Sequence, residues 1–187
     1  MRRRSFVLAA LAVVPVLAGC TPTPYASPLG REARATMRFS AIEVNAQAAV
    51  FESSLAANYA SRLGPDLQAN LRREFADRMD ASGLTLVVDV QRFNLARSLR
   101  TAMGQDQPRL SGVARLVERD GTLVGSFPVT VVAGEARATA AGAVAVAAVT
   151  TADGFYRSLL ADFARQTRGT VLGREGPGAR LLRGLTG

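Results

Sequence analysis

Histidine, lysine and tryptophan are missing from this chain of 187 residues, and cysteine occurs only once. Without histidine or lysine, the chain cannot build a Ser–His–Asp, Cys–His or Ser–Lys nucleophile. A zinc site would lack its His and Cys ligands, and a phosphate-binding loop would lack its lysine. A single cysteine cannot form a disulfide within the chain. We therefore predict that the protein holds neither a metal nor a cofactor.

Carboxylates are the catalytic groups that these absences leave. A pair of them hydrolyses glycosides in many enzymes, and Asp89 and Glu118 are the candidates. Both fall in predicted strands at positions typical of a solvated face. We therefore predict that the protein is not an enzyme, and a carboxylate-only hydrolase is the least favoured alternative.

Every positive side chain is an arginine, and the formal net charge is +8. Aromatic residues make up only 6% of the chain, which argues against stacking platforms for bases or sugars. The sequence predicts no nucleic-acid partner and favours lipid phosphates or acidic polymers. The alternative is a solvated, arginine-rich surface that binds nothing.

The first twenty residues, MRRRSFVLAALAVVPVLAGC, have the three parts of a secretory signal. Arg2, Arg3 and Arg4 precede an apolar run of about a dozen residues, and the small residues Ala18 and Gly19 follow it. This run is shorter than the roughly 20 residues of a membrane-spanning helix. The pattern predicts a signal peptide over residues 1–19.

The end of this signal, Leu17-Ala18-Gly19-Cys20, resembles the lipobox of bacterial lipoprotein precursors. The resemblance implies that the Cys20 sulfur receives a diacylglycerol, that cleavage falls before Cys20, and that the new amine is acylated. Two or three acyl chains would anchor the protein firmly in a membrane. The alternative is an ordinary signal peptide with a chance cysteine.

Two features of the N-terminus bear on the export route of the protein and on the membrane in which it is anchored. Thr21 is not the aspartate that resembles an inner-membrane retention signal, which favours the outer membrane. We expect the anchor on its periplasmic face, with the inner membrane or the cell surface as alternatives. The run from Arg3 to Val7 also resembles a twin-arginine export signal, although arginine is the only basic residue available to a signal peptide here.

The chain after Cys20 divides into a tether, a body and a tail. Residues 20–34 are rich in proline and small polar residues, which is typical of a stiff, extended lipidated tether. Residues 35–170 carry the periodic patterns of one domain. Residues 171–187, rich in glycine and arginine, are predicted to be a disordered tail.

Hydrophobic periodicity predicts the elements of the body. We expect strands at 35–46, with a bulge near Ala41-Ile42, and at 84–96, 109–119 and 122–133. One helix is expected to begin at Pro65 and end at Gly83. A second is expected to begin near Ala152, with Asp153 as its N-cap, and to end near Gly169. Asp120-Gly121 is predicted to be a hairpin turn, and Pro128 indicates that its strand lies at an edge or carries a bulge. The residues expected on the buried face of the first helix are Leu67, Leu71, Phe75 and Met79.

The order strand, helix, strand, strand, strand, helix predicts an α+β fold. We expect an antiparallel-rich sheet of about four strands covered by two helices, in a two-layer sandwich. At the level of architecture alone, this order resembles small periplasmic auxiliary lipoproteins of transport and envelope assembly. No motif carries that resemblance, so it implies no functional residues.

These observations predict a non-catalytic accessory lipoprotein that binds a protein partner or an envelope lipid or glycan. An edge strand could extend a partner's sheet. In the predicted loop at 97–108, Arg97, Arg100 and the following Arg109 flank Leu99 and Met103 and are candidates for phosphate binding. The alternatives are a plain solvated loop and, for the whole protein, a structural envelope lipoprotein with a basic surface.

Overall fold

The computed structural model of the protein describes residues 29–133 and 151–173. Within them lie helices α1 (Arg31–Thr36), α2 (Ser54–Ala57), α3 (Ala60–Glu74), α4 (Ser98–Ala102) and α5 (Ala152–Leu172), with a 3-10 turn at Ala76–Arg78. The strands are β1 (Phe39–Asn45), β2 (Val50–Phe51), β3 (Leu84–Asn94), β4 (Arg109–Val117) and β5 (Leu123–Val132).

The strands form a single sheet in the order β1-β3-β4-β5, and the short β2 pairs with the last part of β3 beyond β1. Strand β1 runs parallel to β3 and is joined to it through α3, whereas β3, β4 and β5 follow one another as long antiparallel neighbours. The long elements occur in the predicted order. The α+β fold with an antiparallel-rich sheet is therefore confirmed, with the two-residue β2 as a fifth strand.

Helices α3 and α5 pack beside each other on one face of the sheet. The ring of Phe75 on α3 meets the ring of Phe39 on β1 edge-on, with centroids 5.0 Å apart. Alternate side chains of β4 and β5 are buried in this layer, as half-buried strands require. Strand β3 alternates in the same way up to Val90, where the register shifts, and its next buried residue is Phe93. The fully buried residues that form its centre include Leu67, Leu71, Phe75, Leu86, Val88, Leu116, Phe127, Leu159 and Phe163.

The register gives the sheet two ends, which we name by their place along the chain. At the proximal end, which α1 leads into, Phe39 lies level with Leu84. At the distal end, Asn94 pairs with Arg109, and Arg109 pairs with Val132. Strand β3 has eleven residues, so the two ends are about 33 Å apart.

Helix α3 differs from the prediction at both ends. It begins at Ala60, so Pro65 lies inside the helix and removes one backbone hydrogen bond rather than opening the first turn. It ends at Glu74, and the 3-10 turn that follows turns Met79 outward, so Met79 is exposed and not part of the buried face.

Gly83 does not end a helix. A Cβ atom at this position would lie 2.4 Å from the carbonyl carbon of Arg38. The residue is glycine because the start of β3 approaches the backbone before β1 this closely, and Leu84 N–H donates to the Arg38 carbonyl at 2.9 Å. The pattern alone could not distinguish this close approach from a helix C-cap.

The first strand is shorter than predicted. It begins at Phe39, and Arg31–Thr36 form α1 where an extended tether and the start of a strand were expected. The predicted bulge is confirmed, since the β1–β3 register shifts between Phe39 and Ala41.

Helix α5 is capped by Thr151 rather than Asp153. The Thr151 hydroxyl accepts from Gly154 N–H at 3.0 Å, whereas Asp153 accepts a hydrogen bond from Tyr59, the residue before α3. The helix continues past Gly169 to Leu172, so the first two residues of the predicted tail are helical.

The predicted hairpin joins β4 to β5, and Gly121 adopts a φ of +91° within it. Strand β5 is the outer strand of the described sheet, which confirms the edge position inferred from Pro128. The signal peptide, Cys20, tether residues 20–28 and tail residues 174–187 lie outside the described residues, so what was inferred for them stays a prediction.

Candidate interaction surface

Strand β3 and strand β4 are connected at the distal end by a segment that contains a short helix. Residues 97–108 were predicted to be a polar loop, but Ser98–Ala102 form α4. Five residues are too few for helical periodicity to be recognised. The helix ends at Ala102 with Met103 as its C-cap, and Gly104 follows with a φ of +72°, which is available to glycine at little cost.

Hydrogen bonds fasten this connection to the sheet. The Asn94 side chain donates to the Asp106 carboxylate at 3.0 Å and to the Gln107 carbonyl at 3.2 Å. Ala133 N–H donates to the Pro108 carbonyl at 3.0 Å. The segment is therefore held on both sides, by the last residue of β3 and by the residue after β5.

Helix α4 has a buried side and an exposed side. Thr101 and Ala102 are buried against the body, whereas Leu99 and Met103 are 47% and 50% exposed. Leu99 and Met103 are four residues apart, so they lie on one side of the helix. Two large apolar side chains thus face outward together at the distal end.

The three predicted phosphate-binding arginines lie at this same end. Arg97 precedes α4, Arg100 lies within it and Arg109 opens β4, and all three are exposed. None of them forms an ion pair with another residue of the described chain. We call Arg97, Leu99, Arg100, Met103 and Arg109 the distal patch.

The face of the sheet opposite the helices is polar and partly exposed. Arg115 on β4 donates to the Asp89 carboxylate on β3 at 2.6 Å. Beside this pair is an open depression of about 500 Å³, lined by Asn45, Ala48, Asp89, Val90, Gln91 and Arg92. Asp89 is thus held by an arginine, and the lining lacks an aromatic ring on which a sugar could stack.

The register also separates the two candidate catalytic carboxylates. Val117 pairs with Thr85, so Glu118 lies level with Leu84, five residues from Asp89 along β3. This offset is about 16 Å, more than the roughly 10 Å over which two carboxylates act on one glycosidic bond. Glu118 also lies in the hairpin turn rather than in a strand. These two residues do not form a catalytic pair.

A second polar cluster, which the sequence did not indicate, joins α3 and α5 near their N-termini. Tyr59 donates to Asp153 and Tyr156 donates to Asp66, each at 2.8 Å. The Arg62 guanidinium carbon lies 5.0 Å from the centroid of each tyrosine ring. Burial, together with the adjacent carboxylates, raises the pKa of both phenols, most strongly that of Tyr156.

The distal cluster of Tyr59, Arg62, Asp66, Asp153 and Tyr156 fastens two helices together. Each phenol donates to a carboxylate of the other helix, and Arg62 lies 3.2 Å from the Asp66 carboxylate and 3.8 Å from that of Asp153. No signal in the sequence could have identified this cluster, because Tyr59 and Asp153 are 94 residues apart and Tyr156 and Asp66 are 90 residues apart.

Across residues 29–133 and 151–173, no three acidic, histidine or cysteine side chains are grouped closely enough to bind a metal ion. Among the helices of the same residues, none is both long enough and apolar enough to cross a membrane.

Comparisons with known proteins give distant structural likenesses. No protein-family model matches the chain, and no curated protein matches it. A structure of protein XCC0632 from Xanthomonas campestris, of the DUF330 family, is similar with 16% identity and a TM-score of 0.42, over 79% of this chain and 90% of that one. A structure of the PelC dodecamer from Paraburkholderia phytofirmans is similar with 11% identity and a TM-score of 0.40, over 75% of this chain and 91% of that one. Neither structure assigns a function to this chain.

Proposed function

We propose that this protein is an accessory lipoprotein of the bacterial envelope. Acyl chains on Cys20 anchor it to the periplasmic face of the outer membrane, and its folded body binds an envelope partner without catalysing a reaction. The lipobox supports the anchor. The arrangement of the body supports the binding role.

The observation that carries the proposal is the separation of two ends. The chain that leads from Cys20 enters the fold through α1 at the proximal end, beside the C-terminal part of α5. The exposed arginines and apolar side chains of the distal patch lie about 33 Å away, at the other end of β3. A protein held at one end presents the other end to whatever it binds.

Replacement of the lipidated residue tests the anchor. Cys20→Ser should abolish incorporation of a labelled fatty acid and release the protein from the membrane fraction, or leave an uncleaved precursor. Thr21→Asp is the matched variant, because it retains the thiol. It should keep the label and move the protein to the inner membrane. Unchanged labelling of Cys20→Ser would refute the anchor.

The binding role of the body is tested by crosslinking in living cells. The protein with a photoreactive residue in place of Leu99, in the distal patch, should yield a defined crosslinked species. The same residue at Glu43, on the exposed side of β1, is the control. Identical crosslinked species from both positions would argue against a specific distal surface.

A further inference from the structure

We infer that the distal patch docks on an anionic phospholipid surface, so that the body is held to the membrane at two points. The first point, acylated Cys20, rests on the proposed function. The second point rests only on residues described here, and the two can be tested separately.

The apolar part of the patch fits the interfacial layer of a bilayer. Leu99 and Met103 project from one side of α4, while Thr101 and Ala102 fasten the other side to the body. Two adjacent apolar side chains on a fixed support can enter the boundary between headgroups and acyl chains without unfolding anything.

The charged part fits the headgroups. Residues 95–110 carry three arginines and one acidic residue, Asp106, which already accepts a hydrogen bond from Asn94. A guanidinium can bind a phosphate group through two parallel hydrogen bonds. Exposed arginines that form no ion pair with described residues are available for such contacts.

The apolar part and the charged part together indicate which kind of surface the distal patch binds. A dissolved acidic polymer would satisfy the arginines but offers nothing for Leu99 and Met103. A hydrophobic protein groove would satisfy the apolar pair but would bury three charges, which is costly without partners. An anionic bilayer offers phosphates and an apolar layer side by side, at the depths that long arginine side chains can bridge.

The dimensions allow both points to touch the same membrane. The ten residue steps from Cys20 to Gly30 span at most about 36 Å when extended, and the sheet is about 33 Å long. The body can therefore lie along the bilayer, with the anchor at one end and the distal patch at the other. The anchor also raises the local concentration of lipid around the patch, so a weak intrinsic affinity is sufficient.

Vesicle sedimentation with an unacylated protein isolates the second point. The chain from residue 20 onward with Cys20→Ser keeps every described buried residue, since these lie between Met37 and Val171. It should sediment with vesicles of phosphatidylglycerol and phosphatidylcholine but not with phosphatidylcholine alone. Replacing Arg97, Arg100 and Arg109 together by glutamine should weaken binding about a hundredfold, since each basic residue near an anionic surface contributes about fivefold. Leu99→Ser with Met103→Ser should also weaken binding, and this loss should persist at high salt.

A matched triple variant keeps the inference falsifiable. Arg31, Arg72 and Arg73 are also exposed and lie on α1 and α3, and their replacement by glutamine removes the same charge. This variant should bind almost as the parent does. Equal losses from both triple variants would show a nonspecific effect of net charge, and no binding to anionic vesicles would overturn the inference. Equal capture by soluble polyglutamate, unaffected by Leu99→Ser with Met103→Ser, would point to a polymer instead of a membrane. A failure of Cys20 acylation in cells would refute the anchor and leave the vesicle result standing.

Discussion

The two ends of the α3–α5 helix pair are fastened by different chemistry. At the proximal end, Arg168 on α5 donates to both carboxylate oxygens of Asp77, at 2.7 and 2.9 Å, and to the Glu74 carbonyl at 2.8 Å. Its side chain is only 5% exposed. At the distal end, neutral phenols donate to carboxylates that remain 40% and 61% exposed.

At the proximal end the donor is a buried charged group, whereas at the distal end the donors to the carboxylates are neutral phenols. A buried guanidinium depends strongly on each of its partners, because water does not readily replace a lost charge-assisted hydrogen bond in a low-dielectric interior. A phenol that loses its carboxylate leaves a neutral group, and the carboxylate can turn to water. The comparison indicates that the proximal end is the less tolerant of change, and that the distal end can vary without unfolding the body.

The largest expected effect is therefore at the proximal end. Asp77→Ala should lower the free energy of unfolding by about 2–4 kcal/mol, because it removes both charge-assisted hydrogen bonds from the buried Arg168. We place this toward the lower part of the usual range, since Asp77 itself is 43% exposed. Urea denaturation followed by circular dichroism measures the change.

An exposed ion pair on the same helix provides the control. Asp162 and Arg165 are three residues apart on α5, and the Arg165 side chain is 53% exposed whereas that of Arg168 is 5% exposed. Asp162→Ala should change the free energy of unfolding by about 0.5 kcal/mol or less. If the two variants were equally stable, the proximal contact would be no more than a surface ion pair and the comparison would fail.

The parts of the fold that could be predicted are those that local periodicity determines. Leu67, Leu71 and Phe75 are spaced by four residues, and all three are fully buried. The hairpin between β4 and β5 follows from Asp120-Gly121 and the alternation on both sides. These patterns extend over only a few residues, so they can be recognised without knowledge of the tertiary structure.

The fastenings at the two ends could not be predicted, because no local pattern connects their members. Arg168 and Asp77 are 91 residues apart, and Tyr156 and Asp66 are 90 residues apart. The sequence was sufficient to select the candidate arginines as a group. It was not sufficient to place Arg109 at the same end of the sheet as α4, because that position depends on the strand register. Thr151 is the cap because it is the extended residue before the helix, whereas Asp153 already lies in the first turn and its carboxylate accepts from Tyr59.

An intermediate effect is expected in the distal cluster. Tyr156→Phe should lower the free energy of unfolding by about 1–2 kcal/mol, since it removes one hydrogen bond to a carboxylate that still faces Arg62. Tyr59→Phe should cost less, because its partner Asp153 is more exposed to water. Urea midpoints for the two variants test this order. The reverse order would show that exposure of the carboxylate does not control the strength of the contact.

The smallest effect, and the most specific to the distal end, is a loss of stability at alkaline pH. The pKa of Tyr156 is raised in the folded state, chiefly by burial and then by Asp66, while an unfolded tyrosine titrates near 10. Below about pH 10 both states keep the proton, so this contribution is complete. Above it the unfolded state releases a proton that the folded state retains, and stability falls as the pH rises.

The absence of lysine makes this window unusually easy to interpret. With no lysine in the chain and Cys20 replaced by serine, the tyrosines are the side chains that titrate between pH 9 and 12, because arginine stays charged. Urea midpoints should decline above about pH 10 in the parent protein and decline less steeply in Tyr156→Phe. Tyr59→Phe should also reduce the slope, since the pKa of Tyr59 is raised by burial and by Asp153. Equal slopes in all three proteins would mean that the phenols are as free to ionise in the fold as in the unfolded chain, and the distal cluster would then not be the closed contact that its geometry indicates.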